Sequence, residues 1–314
     1  MGNFTTNDRI SLVYQEHGSP SSPPLILLHG FTGSSEVWKR NIPALAEKYH
    51  VYAPDLRGHG ASDKPKHGYH VSRLAMDLRE LLTHLDLEKR EDVRVIGGSL
   101  GCSILWCYAE LFTTSPFSHM VFVDQSPLQN STLDGWDSRF CNRGMNSSTA
   151  VAALQATLSL SPETAHRGTI AGCLSYRSHP RTTDKIQAGS AEAQEDEAFF
   201  LSEALKGNAE WYGRLMADHT ALDWRYSIPA NFGSASKSKT KVFVVASSRS
   251  GCFPSLGPMA VVELINRRPG GGKVTENEKA RGVVVEWGGH WCYWEDPEKF
   301  DKLVLDFLAE DVKL

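Results

Sequence analysis

The 314-residue sequence lacks several features that would assign a protein to a specialised class. Its six cysteines include no C-x-x-C pair and no spacing typical of metal ligands, so we expect neither a redox motif nor a metal centre. No apolar leader segment and no run of about 18 apolar residues is present, which argues against secretion and against a membrane span. The formal net charge of −4 offers no basic surface to nucleic acid or to an anionic membrane. We expect a reduced, cytoplasmic protein.

Length and composition are those of an ordinary globular protein. Hydrophobic residues make up 41% and charged residues 22% of the chain, which is enough apolar surface for a sizeable core. At this length we expect one large domain with a substantial insertion rather than two independent units. Strand-like and helical patterns alternate in the two ends of the chain, as they do where helices connect the strands of a parallel sheet. They predict helices over 36–49 and 71–85 and a last helix after Asp296, the latter two each with an apolar stripe toward the sheet, and a surface loop at Pro269 to Gly272.

The most informative segment is an apolar strand that runs into a serine between glycines and then into a helix. It extends from Val93 to Cys102 and contains the pattern G-x-S-x-G with Ser99 at its centre. A serine at such a strand-to-helix turn has a strained backbone and projects its Oγ above the sheet edge. Because the pattern also arises by chance in a chain with 26 glycines, its context has to support it.

Two further segments carry what a nucleophilic serine requires. A buried-strand pattern ending in His-Gly lies at Pro24 to Gly33, and it predicts an oxyanion hole formed by the backbone N–H groups of Phe31 and Leu100. Another strand, followed by two glycines, begins at Val283 and leads to His290. This histidine is the candidate general base.

Together these segments resemble the α/β-hydrolase superfamily over nearly the whole chain. The resemblance extends to the glycine-rich loop Asp55 to Pro65 and to the stretch Trp291 to Phe300. It implies an α/β fold with a mostly parallel sheet and helices on both faces. It also implies the chain order serine, acid, histidine, in which the acid holds the imidazole tautomer and stabilises the imidazolium.

At the position of the acid the sequence departs from the commonest family pattern. In most relatives the acid follows the seventh strand, but the residues after the strand Lys241 to Ala246 include no carboxylate, and Ser250 occupies the place. The chain is similar instead to haloalkane dehalogenases and some small esterases, whose acid follows the sixth strand, and this implies Asp124. Neighbouring strands lie about 4.8 Å apart, so a carboxylate there can reach the histidine loop. Ser250 could then donate a second hydrogen bond, whereas the alternative for Asp124 is an Asx-turn that only caps its loop.

Between residues 128 and 230 the alternation of strands and helices stops. Helical patterns separated by polar stretches replace it, which predicts a helical lid inserted into a core formed by residues 1–127 and 231–314. A lid at this point would cover the carboxyl ends of the strands and would determine which substrate can bind. For the substrate pocket we predict Trp291, Trp136 and Gly30.

The resemblance therefore implies a serine hydrolase that works without cofactor or metal. Ser99 would attack an ester, thioester or lactone carbonyl, His290 would transfer the proton, and Asp124 would orient the imidazole. The aromatic residues of the lid favour a small to medium hydrophobic acyl compound, for example one of secondary metabolism. The sequence leaves the natural substrate and the oligomeric state open.

Three alternatives stay open at this point. The same triad could cleave a C–C bond of a β-diketone-like substrate, or form a peracid from hydrogen peroxide as cofactor-free haloperoxidase-like relatives do. The chain could also be a ligand receptor with little or no turnover, as some members of the superfamily are. An epoxide hydrolase or dehalogenase is disfavoured, because those relatives have an aspartate where this chain has Ser99.

Overall fold

The computed structural model describes residues 1–267 and 279–310, and within them eight strands form one sheet. The strand order is β1-β2-β4-β3-β5-β6-β7-β8, with β1 and β2 antiparallel to their neighbours and β3 to β8 mutually parallel. The strands are β1 (Gly2–Thr5), β2 (Ser11–His17), β3 (Pro24–Leu28), β4 (His50–Pro54), β5 (Val93–Gly98), β6 (Phe117–Val123), β7 (Lys241–Ser247) and β8 (Ala280–Val285).

Helices connect the parallel strands and cover both faces of the sheet. They are α1 (Ile42–Ala46), α2 (Val71–His84), α3 (Leu100–Phe112), α4 (Ser148–Leu160), α5 (Pro162–Cys173), α6 (Ser175–Ser178), α7 (Ala191–Ala204), α8 (Ala209–Ala221), α9 (Ser227–Phe232), α10 (Leu256–Asn266), α11 (Cys292–Glu295) and α12 (Pro297–Leu308). Across the two described ranges, none of these helices is both long and apolar enough to cross a bilayer.

The core has two layers, one on each face of the sheet. Side chains alternate along β3, so that Ile26 and Leu28 join the apolar cluster under α2, α3, α9 and α10, while Leu25 and Leu27 join the cluster under α1 and α12. A strand that is buried on both faces is expected at the centre of a parallel sheet. The predicted fold class, a mostly parallel sheet with helices on both faces, is confirmed.

Two helices have the buried stripes that the sequence predicts. On α2 the buried side chains recur at the spacing of one helix face, and on α12 the same spacing buries four residues against the sheet. Asp296 caps α12 by accepting a hydrogen bond from Lys299 N at 3.3 Å, and Pro297 occupies its first position. The buried residues are Leu74, Ala75, Leu78, Leu81 and Leu82 on α2, and Phe300, Val304, Phe307 and Leu308 on α12.

The sequence patterns misplace two elements in the N-terminal part. A single helix predicted over 36–49 is instead a 3₁₀ turn at Ser35–Trp38 followed by the short α1. Pro43 lacks an amide hydrogen and its ring excludes a continuous helix through this point, so a new helix begins beside it. Strand β1 was not predicted, because it has four residues and buries only Phe4. A surface loop predicted at Pro269 to Gly272 lies outside the described residues.

Six helices, α4 to α9, lie between β6 and β7 in the chain. Residues of α4, α5 and α8 line a cavity of about 530 Å³ that also contains Ser99 and His290. The last of these helices, α9, packs against α3 and α10 instead, and its Phe232 contacts Phe122 of β6 with 5.9 Å between the ring centroids. Three of the inserted helices therefore line a cavity at the carboxyl ends of the parallel strands.

Candidate active site

Ser99 occupies a sharp turn between β5 and α3. Its backbone has φ 52° and ψ −114°, a region that non-glycine residues rarely adopt, and its amide donates to Val123 O at 2.9 Å. The first glycine of the pattern and the last are both required by close packing. A Cβ at Gly101 would lie 2.8 Å from Leu28 O, and a Cβ at Gly97 would lie 2.8 Å from the carbonyl carbon of Gly101. The motif therefore lets α3 approach β3 while it holds Ser99 in a strained conformation.

Asp124 follows β6 directly and faces the histidine that follows β8. His290 Nδ1 donates to Asp124 Oδ2 at 2.7 Å, and both side chains are buried. The other carboxylate oxygen, Oδ1, accepts from Ser247 N at 3.0 Å. The structure thus brings together the two residues that the sequence predicts as acid and base, although they are 166 positions apart.

The loop that carries His290 is fixed by two side chains that the sequence analysis did not select. Ser247 Oγ donates to Gly288 O at 2.5 Å, so this residue joins β7 to the histidine loop as well as to Asp124. Glu295 Oε2 accepts from Gly289 N at 2.6 Å. Burial is the largest influence on Glu295 and raises its pKa to about 7, although hydrogen bonds from Ser175 and Gly289 oppose the rise. Nothing local in the sequence distinguishes these two residues, since their partners are remote along the chain.

The Ser99 hydroxyl does not hydrogen-bond His290 in this structure. It donates to Gln125 Oε1 at 3.4 Å, and Gln125 in turn donates through Nε2 to Ser126 O at 3.0 Å. Ser99 and His290 nevertheless line the same cavity. Catalytic hydrogen bonds of this kind are often long or misaligned before substrate binds, so this geometry is compatible with a nucleophile and its base.

The charged form of His290 is stabilised by its neighbours. Burial alone would lower the pKa of His290, but negative charge that develops on Cys252 and then on Asp124 outweighs it and raises this pKa. A stabilised imidazolium is what a base needs when it takes a proton from a hydroxyl group during attack.

The predicted oxyanion hole lies in the turn after β3 and at the start of α3. Within this turn, His29 Nε2 accepts from Leu56 N at 3.0 Å, which leaves Nδ1 protonated to donate to Gly30 O at 2.8 Å. A Cβ at Gly30 would lie 3.1 Å from Ser99 Cβ, so the backbone passes directly beside the serine. Leu100 begins α3, and the first N–H groups of a helix have no partner within it. Phe31 lines the cavity.

One of the three predicted pocket residues lines the cavity, and a second lies beside Ser99. Trp291 lines it and stacks on Phe200 with 3.8 Å between the ring centroids, and Gly30 lies beside Ser99. Trp136 is not among the residues that line this cavity: its ring stacks on Phe140 with 4.8 Å between centroids, and its Nε1 donates to Leu128 O at 2.9 Å. Composition cannot separate an aromatic side chain that packs the insertion from one that faces a ligand.

Ser250 does not make the predicted second hydrogen bond to the acid. Its Oγ accepts from Cys252 N and Phe253 N, both at 3.1 Å, and so shapes the loop after β7. The backbone N–H of Ser247 supplies the second contact to Asp124 instead. A backbone donor at the end of a strand has no sequence signature, so the sequence does not predict this contact.

The cavity also holds polar groups that sequence reasoning missed. Within the described residues, Gln129 Nε2 and His219 Nδ1 are buried without a hydrogen-bond partner, and both residues line the cavity. Burial keeps His219 neutral by lowering its pKa to about 3. Two thiols, those of Cys173 and Cys252, also meet here with 3.6 Å between their sulfur atoms. No local sequence spacing predicts the two unpartnered polar atoms or the pair of thiols, because the residues of each set come from different structural elements.

The family is established by comparison with known proteins. A family model described as alpha/beta hydrolase fold matches residues 23–297 of this chain. The chain belongs to the alpha/beta hydrolase fold family. The family predicted from the sequence is thereby confirmed.

Individual relatives resemble parts of this alpha/beta hydrolase in sequence and the whole of it in fold. A soluble epoxide hydrolase from Corynebacterium sp. (strain C12) is 47% identical over 89 residues, which are 28% of this chain and 30% of that protein. The matched segment therefore spans less than a third of that relative. An esterase from Exiguobacterium antarcticum has a TM-score of 0.80 at 18% identity, covering 99% of this chain and 100% of its own. A bromoperoxidase from Bacillus anthracis has a TM-score of 0.79 at 18% identity, covering 98% and 100%. At these identities the structural likeness establishes the fold alone.

Proposed function

We propose that the protein is a serine hydrolase that cleaves an ester, thioester or lactone of a small to medium hydrophobic compound through an acyl-enzyme. One observation carries the proposal. It is the 2.7 Å hydrogen bond between His290 and Asp124, in a cavity that is also lined by Ser99. A serine in a strained turn, a histidine and a buried carboxylate that orients it are the parts that acyl transfer requires.

In the first half of the reaction, Ser99 Oγ leaves Gln125 and attacks the substrate carbonyl carbon. Its proton passes to Nε2 of His290, since Nδ1 is held by Asp124. The carbonyl oxygen becomes an anion, which accepts from the backbone N–H groups of Phe31 and Leu100. Each such donor contributes about 3 kcal/mol to transition-state stabilisation.

In the second half, the tetrahedral intermediate collapses and His290 gives its proton to the leaving group. The acyl group is now esterified to Ser99. A water molecule that loses a proton to His290 attacks this ester, and the serine hydroxyl is regenerated when the same proton returns to Oγ. His290 acts alternately as base and acid, so the cycle closes with hydrolysis as the net reaction.

The cavity supports an apolar substrate with at least one polar group besides the scissile carbonyl. Its volume of about 530 Å³ suits a small to medium compound. Apolar side chains such as Met145, Leu154 and Met216 line it, together with the unpartnered polar atoms of Gln129 and His219. A substrate oxygen placed against these atoms would satisfy them, because a buried polar group without a partner costs about 1–3 kcal/mol.

We further propose that residues 128–230 act as the lid over this cavity. Support comes from the cavity walls, which include Ala150 and Leu154 of α4, Gly168 of α5 and Met216 of α8. Substrate would therefore be selected by the insertion, and the chemistry would be performed by the core.

Epoxide opening, the activity in the name of one relative, is less well supported. An aspartate nucleophile opens an epoxide to give an ester, which water can hydrolyse. A serine nucleophile would give an ether, and a histidine-activated water does not cleave ethers. Because Ser99 stands at the turn after β5, acyl transfer is the chemistry that this site can complete.

A fluorophosphonate probe followed by peptide mapping tests the nucleophile. We expect the label on Ser99 in the parent protein and no label in Ser99→Ala. Ser103→Ala is the matched control, because Ser103 is a buried serine on α3, the helix that follows Ser99, and it should be labelled like the parent. Turnover of p-nitrophenyl esters should fall about 10⁴-fold or more in Ser99→Ala.

Two results would contradict the proposal. One is a label that persists in Ser99→Ala, which would place the nucleophile elsewhere. The other is a parent protein that is neither labelled nor able to turn over any p-nitrophenyl ester from acetate to octanoate. That second result, together with tight ligand binding, would favour a receptor.

A further inference from the structure

Two cysteine side chains lie beside the histidine of the proposed triad, although 79 positions separate them in the chain. The sulfur atoms of Cys173 and Cys252 are 3.6 Å apart. These two atoms and one ring nitrogen of His290 all lie within 4.8 Å of one another. Two thiolates on a tetrahedral zinc ion, each about 2.3 Å from the metal, are about 3.8 Å apart. The sulfur atoms therefore already have nearly the separation that zinc would impose.

The three segments that carry these side chains are joined through their backbones. Gly251 N donates to Gly172 O at 3.0 Å, next to both cysteines, and Trp291 N donates to Cys173 O at 3.3 Å. A Cβ at Gly289 would lie 2.6 Å from Cys173 O, so the histidine loop is in direct contact with the end of α5. Because the backbones are held together, small side-chain rotations would be enough to surround an ion.

The surroundings match a zinc site that keeps one position open. Asp124 occupies Nδ1 of His290, which leaves Nε2 for a metal. A carboxylate on the far nitrogen of a ligating histidine is the usual outer-shell arrangement at zinc. Cys173, Cys252 and His290 all line the cavity, so an ion can enter and a fourth ligand can approach from the cavity.

We propose that Cys173, Cys252 and His290 bind a zinc ion and that the bound ion inhibits the hydrolase. Both thiols would lose their protons to solvent on binding, since thiolates are the ligands, and water would take the fourth position. Inhibition rests on the proposed function: a histidine whose Nε2 is bound to zinc cannot accept the proton of Ser99. The binding site itself does not depend on that function.

Oxidation is the competing chemistry for two thiols this close. Hydrogen peroxide could take two electrons and two protons from them, leaving a disulfide and two water molecules. Activity lost in this way would return with a thiol reductant and would not return with a chelator. If activity that is lost on zinc treatment returns with a thiol reductant and not with a chelator, the zinc assignment is overturned.

Cobalt(II) titration of the reduced, full-length protein tests the site without relying on turnover, because cobalt–thiolate bonds absorb in the near ultraviolet. The parent, Ser99→Ala and Cys107→Ala should each bind one cobalt ion per chain, and zinc should displace it. Cys107 is the matched control, a buried thiol on α3. Cys173→Ala and Cys252→Ala should each bind about 100-fold more weakly or worse, because even outer-shell changes cost about 10–100-fold.

Hydrolysis of a p-nitrophenyl ester gives the second measurement, with each variant compared with its own zinc-free rate. Zinc should inhibit the parent and Cys107→Ala, and a chelator should restore both. Cys173→Ala and Cys252→Ala should need about 100-fold more zinc for the same inhibition. Thermal unfolding of each variant shows whether it is folded, and Cys→Ser at the same position replaces any variant that is not.

The outcomes separate the two proposals. A parent without cobalt–thiolate absorption, or absorption unchanged in both Cys173→Ala and Cys252→Ala, overturns the zinc site. Cobalt binding with turnover that zinc leaves unchanged overturns the inhibition. If Ser99→Ala keeps full turnover and also binds cobalt, the serine mechanism is wrong while the zinc site stands.

Discussion

Asp124→Asn tests how the buried acid acts, because it removes a charge and keeps the shape of the side chain. In the parent, Oδ2 accepts from His290 Nδ1 at 2.7 Å and Oδ1 accepts from Ser247 N at 3.0 Å. Both neighbours are therefore donors. Asparagine has one acceptor oxygen and one NH₂ group, so it can serve only one of them in the same way.

The backbone N–H of Ser247 determines which of the two hydrogen bonds changes its direction of donation in the variant. Its N–H can only donate, so the amide oxygen turns to Ser247 and the NH₂ group faces His290. Nδ1 must then accept a hydrogen bond, which moves the imidazole proton to Nε2. In that tautomer the histidine cannot take the proton from Ser99. We expect kcat to fall about 10⁴-fold, which is about 5 kcal/mol in activation free energy, with little change in KM.

The assay is steady-state hydrolysis of a p-nitrophenyl ester at neutral pH, with thermal unfolding to show that the variant is folded. Asp301→Asn is the matched control, because Asp301 is another buried aspartate that accepts from a side chain, Asn41 Nδ2 at 2.7 Å. It lies on α12 outside the cavity lining and should keep the parent rate. An Asp124→Asn variant within tenfold of the parent, about 1.4 kcal/mol, would refute the assigned role of the carboxylate.

Three further predictions concern packing, titration and specificity. Gly101→Ala places its Cβ 2.8 Å from Leu28 O and should lower the free energy of unfolding in urea by about 1–3 kcal/mol; Gly168→Ala, with open space around its Cβ, should not lower it. Burial raises the pKa of Asp301 from 3.8 to about 7, against the hydrogen bond from Asn41, so native stability should fall as the pH rises through this range. Asp301→Asn should therefore match the parent at pH about 3 and exceed it by about 1–2 kcal/mol at pH about 8 in denaturant titrations, and equal curves at both would disprove the linkage. His219→Leu should raise KM about tenfold for esters whose acyl chain carries an oxygen and leave alkyl esters unchanged, so equal effects on both series would count against a polar contact there.

Much of the fold and of the site could be predicted from local patterns. Ser99 was predictable because a strained turn between a buried strand and a helix needs glycines at fixed offsets, and His290 because it follows a strand and two glycines. Asp124 was predictable only with the family resemblance, since its position directly after β6 matches a minority of relatives. In each case the sequence pattern on which the prediction rests spans about ten residues at a single strand and the turn that follows it.

The remaining site residues could not be predicted, because their roles depend on partners from remote elements. Ser247 touches Asp124 through its backbone, so its side-chain type carries no signal. Trp136 and Trp291 are both aromatic residues near the core boundary, yet only Trp291 lines the cavity. Composition gives the tendency to be buried but not the direction in which a side chain points.

The sequence by itself determined most strands and helices of the core, the strained serine turn and the family resemblance, because periodicity and glycine placement act over a few neighbouring residues. Tertiary structure alone decided which further groups meet Ser99, Asp124 and His290 at the carboxyl ends of β5 to β8. Parallel packing places those ends at one edge, and there the inserted helices bring the thiol of Cys173 against that of Cys252 and leave His219 without a partner. These encounters depend on how distant segments are stacked, and a linear pattern does not encode that stacking residue by residue.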